Sequence, residues 1–72
     1  MNEKIKLLDV VTLLNDKPDR GLVKGQVGTV VEFLDEDVYE VEFSDDQGKT
    51  YATLALKAEE LMVLHYSPLS TV

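Results

Sequence analysis

The sequence predicts an all-β domain, and three observations predict it. Apolar and acidic residues alternate strictly from Tyr39 to Phe43, β-branched and apolar runs recur in stretches of strand length, and clusters of Asp, Asn, Gly and Pro separate them. Val10 to Leu14 is the first such run, closed by Asn15-Asp16; the residues before it, Glu3 to Asp9, are compatible with a short helix. Asn15 to Gly21 is dense in turn formers, and Pro18 restricts the backbone around it, so a surface loop follows. Val27 to Leu34 is the second strand, Asp35-Glu36-Asp37 a turn, and Val38 to Ser44 the third strand.

In the third strand Tyr39, Val41 and Phe43 share one face and Glu40 and Glu42 the other. A hairpin centred on Glu36 sets Phe33 against Tyr39, Val31 against Val41 and Thr29 against Phe43 on the core face. The same register puts Glu32 directly opposite Glu40, with Glu42 further along the outer face. Asp45-Asp46-Gln47-Gly48 is a second tight turn, with Gly48 suited to a left-handed backbone. Lys49 to Leu56 is a fourth strand whose buried face the pattern leaves open. Lys57 to Glu60 is too short for a stable helix and suits a 3₁₀ turn, after which Leu61 to Leu64 makes a fifth strand. From about residue 66 to residue 72, small polar residues and Pro68 read as a flexible tail. These parts, in this order, are those of a small five-stranded SH3-like barrel with a 3₁₀ turn before the last strand.

Seventy-two residues make a single domain near the lower size limit for a core without staples. The absence of cysteine excludes disulfides and thiolate metal sites, and the first ten residues lack the pattern of a signal peptide. A cytoplasmic location is the expectation. No apolar run approaches the roughly 20 residues that span a bilayer, so no membrane association is expected.

Charge is the feature that bears on function. Seven basic and 14 acidic residues give a formal net charge of −7, and between Gly25 and Gly48 there is no Lys or Arg. That interval holds Glu32, Asp35, Glu36, Asp37, Glu40, Glu42, Asp45 and Asp46. Such a field repels phosphate backbones and anionic membranes and attracts cationic surfaces.

Lys24-Gly25-Gln26-Val27-Gly28-Thr29-Val30 resembles the G-x-x-G-x-V entry of KOW-type SH3-like barrels, where glycines permit a tight turn and close strand contact. Across LLDVVTLLNDKP, GLVKGQVGTVVE, YEVEF and YATLALKAEELMVL the chain resembles a bacterial family, common in cyanobacteria, known as domain of unknown function four-nine-two-six. The resemblance implies an SH3-like barrel with no established activity. It also implies an antitoxin or immunity-type role beside a small toxin-like protein, and it supplies no functional motif. The aromatic-lined groove of proline-peptide-binding SH3 domains has no counterpart, since Trp is absent and the first loop carries no aromatic residue.

The protein-binding candidates are Glu32, Asp35, Glu36, Asp37, Glu40 and Glu42, and the expected partner is a basic protein. Their bland alternative is a solvated face. Like charges facing each other across strands are destabilising, however, which favours a partner that neutralises them. Asp35-Glu36-Asp37 lacks the glycine and distal bidentate Glu of a calcium loop, so no metal or cofactor is expected. His65 is the lone imidazole, and no nucleophile, base and orienting group fall at a usable spacing, so no catalytic residue is expected. A second reading, RNA or ribonucleoprotein binding, would use Lys17, Arg20 and Lys24 on the first loop. Opposed by Asp16, Asp19 and the acidic hairpin, these make a poor phosphate footprint, so nucleic acid is not the expected partner. Oligomeric state is not legible.

Overall fold

The computed structural model describes residues 4–68. Five antiparallel strands, β1 (Val10–Leu13), β2 (Val27–Asp35), β3 (Val38–Ser44), β4 (Thr50–Lys57) and β5 (Leu61–Val63), form one sheet in the order β4-β3-β2-β1-β5. The chain is all-β, a five-stranded SH3-like barrel, with a 3₁₀ turn at Ala58–Glu60 leading into β5. The sheet is continuous rather than split in two, because the nine-residue β2 pairs with β1 at its start and with β3 along most of its length.

The core forms where the inward residues of every strand meet. Val11 and Leu13 of β1, Val30 of β2, Tyr39, Val41 and Phe43 of β3, Leu54 and Leu56 of β4 and Leu61 of β5 are all buried. Two further core residues come from outside the strands: Ile5, and Leu22 of the first loop. The pattern left the buried face of β4 open; Leu54 and Leu56 face inward, with Ala52 packed against the core beside them.

β3 alternates as its sequence predicts, but the expected partner register holds only at two pairs, between two bulges. Phe33 pairs with Tyr39 and Glu32 with Glu40; beyond them the register slips, so that Val30 pairs with Val41 and Gly28 with Phe43. Val31 and Leu34 are left unpaired as β-bulges. The expected pairs Val31 with Val41 and Thr29 with Phe43 are therefore corrected. The physical reason is the bulge, which reverses face parity: Val30 is fully buried while Val31 is 36% exposed. At Gly28 the two strands come so close that an added Cβ would lie 2.7 Å from Val41 Cγ1 and 2.9 Å from the Glu42 carbonyl oxygen. Only glycine fits that space.

Residues 4–9 are not helical. Lys6 and Asp9 close a turn, with the Lys6 N–H donating to Asp9 Oδ2 at 2.8 Å and the Asp9 N–H donating to the Lys6 carbonyl at 3.1 Å. Leu8 adopts φ 70° there. The first loop contains a 3₁₀ turn at Pro18–Arg20, with proline at its start, where the missing N–H costs nothing. Of the expected tail, Tyr66 is 82% exposed, and residues 69–72 lie outside the described residues.

Two substitutions test this architecture. Val41→Asp places an unpaired carboxylate in the core and is expected to abolish cooperative thermal unfolding. Gly28→Ala is expected to cost about 1–3 kcal/mol in urea unfolding, since Val41 and the β3 backbone must both shift; a change within the error of the measurement would contradict the close approach.

Candidate functional site

Register and alternation together build an acidic outer face. Glu32 on β2 lies directly across from Glu40 on β3, and Ala55 on β4 continues that row. Glu42, two residues along β3, is flanked by Thr29 and Thr53 in the next row. Asp35 pairs with Val38 and so shares this face. Its Oδ1 accepts the Glu36 N–H at 2.7 Å. Among the described residues no Lys or Arg forms an ion pair with Glu32, Asp35, Glu40 or Glu42.

Glu36 and Asp37 depart from this ridge. Asp37 occupies the left-handed region at φ 60°, which Asp tolerates better than most residues, and its carbonyl accepts the Ala58 N–H at 2.9 Å. Both line an open concavity at the end of the barrel, together with Lys4, Ile5, Tyr39, Lys57 and His65. The six expected residues thus split into four on the outer face and two at the rim of this hollow. Asp45 serves its turn: its Oδ1 accepts the N–H groups of Gln47 and Lys49, both at 2.9 Å.

The three first-loop cations have different partners. The Lys17 ammonium pairs with Glu60 Oε2, and Arg20 Nη2 reaches the Thr53 carbonyl at 3.4 Å. Lys24 is anchored through its backbone N–H, which donates to Asp16 Oδ1 at 2.8 Å. The Lys17–Glu60 clamp joins residues 43 apart in sequence, and nothing in the local pattern signals it. Glu60 also accepts the Lys57 N–H at 2.8 Å, which caps the 3₁₀ turn.

Among the described residues no group of three His, Asp or Glu side chains is arranged to hold a metal ion, and no helix is long and apolar enough to cross a membrane.

A family model described as "Domain of unknown function (DUF4926)" matches residues 7–63. The chain belongs to this family. The DUF4926 match runs from just ahead of β1 to the end of β5, so it covers the whole barrel. Comparison with curated proteins and with solved structures gave no match.

The Lys17 hydrogen bond, and next the Lys57 N–H, hold the Glu60 carboxyl below its ordinary pKa of 4.5. A depressed carboxylate contributes stability that is present above the unfolded value and is lost as pH falls through the folded value. Both side chains are partly solvated, 27% exposed for Lys17 and 20% for Glu60, so the clamp is screened. Glu60→Gln is therefore expected to cost up to about 1 kcal/mol at neutral pH. That difference from the wild type should shrink as pH is lowered below 4.5 in a series of urea melts. A pH-independent difference would show that the carboxylate charge is not what stabilises the turn.

Proposed function

We propose that this DUF4926 protein is a non-enzymatic interaction module whose acidic outer face engages a basic protein, in the manner of an antitoxin or immunity protein covering a basic toxin-like partner. The observation that supports the reading is the placement of Glu32 directly across from Glu40, with Glu42 in the adjoining row and no ion-pairing cation on any of them among the described residues. Carboxylates facing each other across a strand pair cost stability, and a barrel of this size has little to spare. A cationic surface laid over them converts that repulsion into attraction, speeds encounter and selects the partner. The first-loop cations offer no comparable case for RNA, because Lys17 is committed to Glu60.

Two outcomes follow for the same face. Glu32→Lys turns a like-charge pair into an opposite-charge pair and is expected to raise stability by about 0.2–1 kcal/mol in thermal or urea unfolding. Glu40→Lys with Glu42→Lys is expected to abolish salt-sensitive capture of a basic protein from a lysate of the native host while leaving the fold intact. Capture that survives the double reversal would dismiss the acidic face as the binding surface.

A further inference from the structure

β4 lies at one end of the sheet, with one edge facing away from β3. In an antiparallel strand the N–H and C=O of one residue point to the same side. Three contacts orient β4. The Ala58 N–H, just beyond the strand, meets the Asp37 carbonyl at the start of β3. The Thr53 carbonyl instead takes a side-chain donor from Arg20 of the first loop, and the Lys57 N–H takes the Glu60 carboxylate. From Thr53 to Lys57 the odd-numbered residues of β4 therefore turn their backbone groups away from β3, toward the open side. Ala55 sits between these two side-chain caps, and no loop or side-chain hydrogen bond engages its N–H or C=O. β4 is an end strand of the sheet, and from Thr50 to Leu56 it carries no charge, proline or glycine to discourage pairing.

What lies beside this edge sets the chemistry of its occupant. Ala55 shares a row with Glu40 and Glu32, and Thr53 shares a row with Glu42. A strand added to β4 would stand roughly 10 Å, two strand spacings, from the β3 glutamates. Only the small side chains of Thr53 and Ala55, both exposed, would intervene. A long flexible cation on the added strand can lie across them to the carboxylates. Arg20 already shows that this edge accepts a donor carried by a cation.

We propose that the edge of β4 at Thr53–Ala55 docks an extended segment of the partner by strand addition, and that this segment carries Lys or Arg at every second position, aimed at Glu40 and Glu42. The backbone supplies the attachment and the glutamate rows supply the selectivity. This rests on the acidic-face reading for the partner's charge, but not for the mode of attachment.

The test uses two fluorescent peptides of the same composition, one alternating valine and lysine, the other with its lysines in a block. The alternating peptide is expected to bind more tightly and to slow amide hydrogen exchange at Ala55. Ala55→Pro removes the edge N–H at a position where an edge strand tolerates proline, and is expected to weaken binding roughly tenfold with a cooperative melt retained. Equal affinity for the two peptides, with no protection at Ala55, overturns strand addition. Should Ala55→Pro fail to fold, exchange at Ala55 in the wild-type protein decides alone. Loss of binding in Glu40→Lys/Glu42→Lys without protection at Ala55 in the wild type leaves the acidic face standing and removes the edge. Protection at Ala55 with undiminished binding by that double variant removes the acidic face and the basic chemistry assigned to the strand.

Discussion

The contact on which the barrel depends is the approach of β2 to β3 at Gly28. With no Cβ in the way, Val41 and Phe43 pack directly against the β2 backbone. Three residues later the bulge at Val31 turns β2 over, so that Val30 is buried where alternation alone would bury its neighbour. A strand that changes its inward parity can pair with β1 on one side and β3 on the other while coiling around a single core. Beyond the bulge, toward the turn, the register has shifted by one residue and brings Glu32 against Glu40. The geometry that closes the core is thus the geometry that sets two carboxylates face to face.

A core of this size leaves the connections to be fixed by other means. Glu60 does this for two of them at once. Its carboxylate holds the Lys57 backbone at the end of β4 and the Lys17 ammonium of the first loop, so the 3₁₀ turn and the loop share one anchor. Leu22, buried from the same loop, adds an apolar anchor, with the Leu22 N–H returning to the Lys17 carbonyl at 3.1 Å. The first loop is accordingly a packed part of the barrel, and the Lys17 and Arg20 side chains are engaged within it.

Strands, turns and the 3₁₀ turn were legible in the sequence because each rests on local chemistry: alternation in β3, glycine and aspartate at the turn before β4, β-branched residues in β1. The inward set of β3 and the Glu32–Glu40 pair were legible for the same reason. The register of Val31 and Thr29 was not, since a bulge leaves no mark in a two-residue periodicity; Gly28 was the nearest signal, read as close strand contact but not as the inward position opposite Phe43. Ile5 and Leu22 sit in segments without periodicity, so their burial was invisible. Of the site, Glu32, Glu40 and Glu42 follow from alternation and pairing, whereas Asp35, expected in the turn, reaches the outer face through the second bulge at Leu34. The separation of Glu36 and Asp37 depends on how the turn residues fold toward the neighbouring 3₁₀ turn, a contact between distant parts of the chain.

The two edges of the sheet are treated differently. β5 is blunted by brevity, with three residues. β4 is eight residues long and carries no blunting residue of its own before Lys57; what restrains it is borrowed, from Arg20 and from Glu60. A lysine at Thr53 or Ala55 would remedy two defects together, discouraging strand addition and neutralising the glutamate in its row. Neither position has one. An unneutralised carboxylate row and a backbone edge left uncapped at Ala55, each destabilising or hazardous alone, lie within one strand of each other. A single extended cationic segment satisfies both, whereas a purely electrostatic partner would leave the edge open and an uncharged strand would leave the carboxylates opposed.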